Sequence, residues 1–225
     1  MVVVAARRDY IVVKNDSQLM AGEIMPDALP VLPPALTALL DRASVPPRLL
    51  HDPAPGQAVL DLAIAAALRA PDHGGLRPVR FVFVSGVARV ALGELLAGSL
   101  ARRAPETPAE RLEIERGKPL RAPMVVAAGA AIRHDRPGVP SWEQEASAAA
   151  AIMNFLNALD AQGFGAVWLS SGALRDESVK QALGFAEADA LLGWIYVGTP
   201  DADRPLARSV DPTGVARHWV PGEVS

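Results

Sequence analysis

The chain has 225 residues, half of them hydrophobic, enough to bury one substantial core with or without an appendage. A net charge of -3 and an aromatic share of 5% argue against a nucleic-acid binder, which presents a basic face and stacking rings. The absence of cysteine excludes disulfides, thiolate zinc sites, iron–sulfur clusters and cysteine nucleophiles, and suits a cytoplasmic setting.

Residues 1 to about 30 differ from the rest. Met1-Val2-Val3-Val4-Ala5-Ala6-Arg7-Arg8 is too short an apolar run for a secretory signal, and its charges follow the run instead of preceding it. Lys14 to Gln18 is polar, Pro26, Pro30, Pro33 and Pro34 punctuate the next stretch of chain, and Met20 or Met25 is an alternative start. The expectation is an N-terminal extension over 1–30, disordered or misassigned, and one domain over 31–225.

From Pro34 the pattern becomes regular. Ala35 to Asp41 reads as a short helix opened by a proline. Gly56 to Arg69 places Val59, Leu60, Ala63, Ile64, Ala67 and Leu68 at helical spacing, with Pro71 as its stop. Val79 to Ser85 reads as a strand buried on both faces except at Arg80. Val87 to Ala101 comes next as a helix, and Pro108 to Lys118 as a charged, solvent-facing one. Met124 to Ile132 is a second buried strand.

The longest helix is expected from Ser141 to Gln162. Gln144 three residues after Ser141 reads as a capping box, and Gly163 is the stop. Its run of small residues, Ala146 to Ala151, predicts burial on every side. Ala166 to Leu169 is a short strand, Asp176 to Leu183 a helix capped by Asp176, and Leu191 to Val197 a last strand. The proline-rich tail from Pro200 reads as an extended arm. No apolar run reaches the ~18 uncharged residues of a membrane span. Helices interleave with strands and cover both sides of a sheet, an α/β or α+β architecture.

Several familiar devices are missing. Gly163-Phe164-Gly165 follows a helix and precedes a strand, the reverse of a dinucleotide fingerprint. Neither a GxxxxGK[ST] phosphate loop nor a GxSxG nucleophile elbow is present. His51, His73, His134 and His218 never pair at metal-ligand spacing, so no metal site is expected.

Three segments carry chemistry. In Arg42-Ala43-Ser44 a guanidinium and a hydroxyl at a helix terminus suit a phosphate, although such a tripeptide also makes an ordinary surface turn. Arg69-Ala70-Pro71-Asp72-His73-Gly74-Gly75, continuing to Arg80, gathers three arginines and a histidine around two glycines that permit close backbone approach. It suits an anionic, planar ligand, or is simply a basic loop. The third segment is Trp142-Glu143-Gln144-Glu145 with the long helix, then Ala161-Gln162-Gly163-Phe164-Gly165 and Trp168.

In this order the segments resemble the nitroreductase superfamily, in particular its compact subgroup of NAD(P)H nitroreductases, over roughly Leu39 to Pro200. The resemblance implies an α+β fold with a central, mostly antiparallel sheet flanked by helices, and a long buried helix in a homodimer core. It implies FMN at the subunit interface, NAD(P)H as co-substrate, and a small nitroaromatic- or quinone-like electron acceptor reduced in a ping-pong sequence. By the same resemblance Arg42, Ala43 and Ser44 bind FMN, Arg69 and His73 reach it from the other subunit, and Trp168, Leu169 and Ser170 complete the pocket. Ala158, Leu159, Asp160, Ala161, Gln162 and Gly163 are the implied NAD(P) contact. No protein acid or base, nucleic acid or membrane is implied. The alternative is a flavin-binding or flavin-modifying protein with little NAD(P)H turnover. It is suggested by Val79, which stands where the subgroup often has tryptophan.

Overall fold

The computed structural model describes residues 4–7, 10–13, 32–219 and 221, which fall into two compact units, Met1–Ala43 with Leu206–Ser225, and Ser44–Pro205. In the first unit β1 (Val4–Arg7) and β2 (Tyr10–Val13) pair antiparallel, from Val4 opposite Val13 to Arg7 opposite Tyr10. These two stretches of the expected extension therefore form a ladder. Lys14 to Gln18, Met20, Met25, Pro26 and Pro30 lie outside the described residues. Helix α1 (Pro34–Asp41) opens on a proline and closes at Arg42, whose backbone is extended and whose N–H reaches the Ala38 carbonyl.

The second unit is built on one antiparallel sheet. Its strands are β3 (Leu50–His51), β4 (Val79–Ser85), β5 (Met124–Ala130), β6 (Gly165–Leu169) and β7 (Ala190–Pro200). Strand β5 lies between β4 and β7, and β7 also pairs with β6 and the short β3. Every residue of β5 is buried, so both faces are covered. Met124, Val126, Ala128 and Ala130 pack with α2 (Gln57–Ala67) and α5 (Ser141–Ala161). Val125 and Ala127 alternate to the other face, with Leu92 and Leu96 of α3 (Ala88–Arg103) and Val179 of α6 (Glu177–Ala182). Helix α4 (Ala109–Gly117) crosses α3 so closely that a Cβ on Gly93 would collide with the Arg116 carbonyl. Gly163, at φ +84°, stops α5, and Asp176 caps α6 by accepting the Ser178 N–H at 3.0 Å.

Several expectations need correcting. Among the described residues strand β4 is an edge strand: Phe81, Val82 and Phe83 are half-buried, and Arg80 and Ser85 are exposed. An apolar run does not say whether a second strand lies beside it. Arg80 turns back, its Nη1 donating to the carbonyls of Arg77 and Val79 at 2.8 Å each. Helix α4 is not wholly solvent-facing, because Glu115 is buried and paired with Lys118 at 2.6 Å.

The capping box is not formed. Helix α5 begins at Ser141 after Pro140, which puts Gln144 one position too far to cap. Nor is α5 buried all round in a single chain: the sheet and α2 cover it, while Trp142, Ala146, Met153 and Ala161 are exposed. Helix α2 stops at Ala67, leaving Arg69 in the following turn; β5 ends at Ala130, and β7 is longer than expected at both ends. Among the described residues no helix is long and apolar enough to cross a membrane.

Candidate functional site

The loop from Arg69 to Pro78 joins α2 to the edge strand, and its backbone is unusual. Gly74 and Gly75 have φ of +75° and +64°, and Arg77 follows at +48°, directly before a proline. A non-glycine residue in the left-handed region costs about 1–3 kcal/mol and persists only where its surroundings hold it. Here the Asp72 carboxylate does so, its Oδ2 accepting the Arg77 N–H at 2.5 Å.

Two further bonds tie this loop to the N-terminal half of α5. Ser147 Oγ donates to the Pro71 carbonyl at 2.8 Å, and His73 Nδ1 lies 2.7 Å from Glu143 Oε2. The Arg69–His73 and Trp142–Glu145 segments are thus two sides of one junction. The His73 ring remains 62% exposed, and no described residue hydrogen-bonds its Nε2. Arg69 and Arg77 are exposed beside it. The loop therefore offers two guanidinium donors suited to an anionic ligand, with the His73 imidazole beside them, around glycines that leave the backbone approachable.

Beside this loop opens a depression of about 310 Å³ lined by Arg133, His134, Arg136 and the turn into α5. A Cβ on Gly74 would meet the Val139 methyl from that lining at 3.6 Å. Arg133 pairs with Asp135 at 3.1 Å, and the hydrogen bond from this guanidinium holds the Asp135 carboxyl below its usual range.

Ser44 sits elsewhere. The Val45 N–H donates to the Ala166 carbonyl at 3.0 Å, which places exposed Ser44 beside the start of β6. Farther along β6, Trp168 is half-buried and its Nε1 donates to the Leu192 carbonyl at 3.2 Å. Leu169 and Ser170 are exposed, whereas Ser171 Oγ accepts from Trp194 Nε1 at 3.0 Å, so Ser170 is the hydroxyl free to face a ligand. Arg42 and Ala43 belong to the first unit, so the division of the chain falls inside the Arg42-Ala43-Ser44 tripeptide. Arg48, given no role from sequence, lines an open depression of about 270 Å³ with Arg89 and Arg121.

The stretch from Ala158 to Gly163 closes α5. Leu159 is fully enclosed in the core, and Ala158 packs against it in part. Asp160 Oδ1 accepts from Arg204 at 3.0 Å, and Gln162 Nε2 donates to the carbonyls of Ala158 and Val59. Ala161 and Gly163 are the exposed members. One chain therefore brings Arg69 and His73 to the N-terminal half of α5, and Ser44 and Ala166 toward its C-terminal end. The helical rise from Ser147 to Leu159 alone is about 18 Å.

Sequence reasoning missed that Asp72 and Ser147 fix this loop and that Glu143 pairs with its histidine. Glu143 lies 70 positions from His73, and a carboxylate in a helix's first turn is ordinary because it complements the helix dipole. Neither residue's local pattern announces the other.

The nitroreductase family model matches residues 39–199. The Escherichia coli K12 protein named "Putative NAD(P)H nitroreductase YdjA" is 34% identical over 181 residues, covering 80% of this chain and 96% of that protein. Among solved structures, a nitroreductase-like family protein from Bacillus cereus is similar at TM-score 0.72 and 20% identity, covering 87% of this chain and all of that one. A nitroreductase with bound FMN from Bacteroides fragilis is similar at TM-score 0.64 and 18% identity, covering 84% of this chain and all of that one.

Proposed function

The chain belongs to the nitroreductase family, and on that premise we propose that it is an NAD(P)H-dependent FMN oxidoreductase working as a homodimer. The observation that carries this reading is the span of the match, 39–199, which contains all three donor segments in order. Exposed Ser44 beside the start of β6, and exposed Leu169 and Ser170 at its end, support the fit of FMN. A phosphate would be held by the Arg42 guanidinium and the Ser44 hydroxyl, and Trp168, Leu169 and Ser170 would flank the ring system.

Arg69 and His73 would be contributed by the second copy, which agrees with their place at the opposite end of α5 from Ser44. The residues Ala158 to Gly163 would meet the nicotinamide nucleotide through Ala161, Gly163 and backbone atoms, because Leu159, Asp160 and Gln162 are engaged within the chain. A dimer would also cover the apolar side chains left exposed on α2 and α5, Leu62, Trp142 and Met153, and Leu68 just past the end of α2.

The redox chemistry, hydride in from NAD(P)H and electrons out to a small nitroaromatic- or quinone-like acceptor in ping-pong order, is what bound FMN supplies. The protein's own part is to hold and orient the ring and to place cationic and neutral donors against its polar edge. A cytoplasmic setting belongs to the same proposal.

Anaerobic mixing of the purified protein with NADH, and separately with NADPH, tests it. A yellow protein that bleaches rapidly supports the reading. A colourless protein that does not take up added FMN overturns it. Bound flavin that stays oxidised favours a flavin-binding or flavin-modifying role instead, the reading suggested by small, buried Val79 at the mouth of β4.

A further inference from the structure

We propose that Glu143 is a positioning residue for the cofactor, holding the His73 imidazole so that Nε2 faces the flavin as a hydrogen-bond acceptor. This rests on the FMN reading above and adds to it a residue, an atom and a class of contact. A carboxylate only accepts, so at 2.7 Å from Glu143 Oε2 the proton of the neutral ring sits on Nδ1. The lone pair is then on Nε2, across the ring from the Glu143 contact, in a side chain that is 62% exposed. An acceptor there selects donors on the ligand: the ribityl hydroxyls or the N3–H of the isoalloxazine. It does not select the phosphate or the ring carbonyls, which are themselves acceptors.

The role of Glu143 is separable from holding the loop. The loop backbone is fixed independently by Ser147 on the Pro71 carbonyl and by Asp72 on the Arg77 N–H. Glu143 instead acts on the side chain of His73, fixing its tautomer and rotation, as a carboxylate behind a histidine commonly does. Its own backbone lies in the first turn of a 21-residue helix, so its position does not depend on the loop.

The test combines FMN titration of the flavin-free protein with 15N NMR of its histidines, the His73 signals being assigned by their loss in His73→Ala. The wild type and Glu143→Gln, whose amide oxygen still accepts, are expected to show His73 protonated at Nδ1 and to bind FMN within about twofold of each other. Glu143→Ala is expected to lose that tautomer and to weaken FMN binding about five- to tenfold, the worth of one hydrogen bond. In the His73→Ala background the same substitution is expected to cost nothing further.

Wild-type His73 protonated at Nε2 overturns the inference without recourse to any variant. Additive losses in the double variant overturn it as well, and so does a Glu143→Gln protein that binds as weakly as Glu143→Ala. Should Glu143→Ala fail to fold, the tautomer measurement and Glu143→Gln still decide. A wild type that takes up no FMN overturns the functional reading itself, and this inference with it. Normal FMN binding by a folded Glu143→Ala overturns only the inference.

Discussion

Gln144 holds both backbone groups of Arg133: its Oε1 accepts the Arg133 N–H at 2.9 Å and its Nε2 donates to the Arg133 carbonyl at 2.9 Å. The same Nε2 donates to the Val139 carbonyl at 3.0 Å, and the side chain is 2% exposed. One buried amide therefore closes the loop from β5 into α5. Gln144→Ala is expected to cost about 2–4 kcal/mol, because it removes three bonds and strands buried backbone groups. Thermal unfolding should show the midpoint lowered by roughly 5–10 °C. Gln144→Glu should be no better, since a carboxylate cannot donate to the two carbonyls.

The cap of α6 predicts a pH dependence. Burial opposes the charge of Asp176, but hydrogen bonds from Ser178, Ser99 and Arg102 outweigh it and hold the carboxyl well below the usual carboxylate range. A carboxyl depressed on folding contributes stability above its unfolded pKa of about 3.9, and that contribution is lost as pH falls through the lower folded value. Asp176→Ala is expected to cost about 1–2 kcal/mol at neutral pH. Urea melts at several pH values should show a constant gap between wild type and variant from pH 7 to about 5, closing in stronger acid.

A Cβ on Gly193 would collide with Trp168 Nε1, and with the Leu169 carbonyl at 2.9 Å. Gly193→Ala should therefore push the indole off the Leu192 carbonyl and disturb the proposed flavin surround. The expected result is a loss of about 1–3 kcal/mol in stability, changed tryptophan fluorescence and weaker FMN retention. Gly93→Ala supplies the contrast. It collides with the Arg116 backbone on the opposite face of the sheet, so it should destabilise without a specific effect on FMN in the folded fraction.

Arg42→Ala should weaken FMN retention about 10- to 100-fold, the worth of a charge-assisted bond to phosphate. Arg42→Lys should recover only part of it, because an ammonium cannot fork across two phosphate oxygens. Unchanged retention on gel filtration in Arg42→Ala would show that the phosphate lies elsewhere.

The sequence was legible where one local rule decided the outcome. Gly163 stops a helix, Asp176 caps one, and the apolar run at Met124 makes a strand covered on both faces. It was illegible where the outcome depended on what lay alongside. Strand β4 has the same apolar run as a central strand yet has no outer partner among the described residues, and Gln144 stands near a helix start yet spends its amide on Arg133. The site divides in the same way. The donor segments stand out as motifs, whereas the bonds that orient them, Glu143 to His73 and Asp72 to Arg77, depend on a fold bringing distant or sharply turned residues together.

The backward turn of Arg80 bears on the outer edge of β4. Along β4 the Pro78 carbonyl accepts from Ala131 in the adjoining strand segment, so the next carbonyl, that of Val79, faces outward, where another strand could bond to it. Arg80 occupies that acceptor with its own guanidinium and sets a fixed charge at the start of this outer edge. Edge-to-edge extension of the sheet is thereby disfavoured at this end of β4. In the homodimer proposed above, contact through the helical face of α2 and α5 would instead be finite, because a two-fold pairing uses that face up.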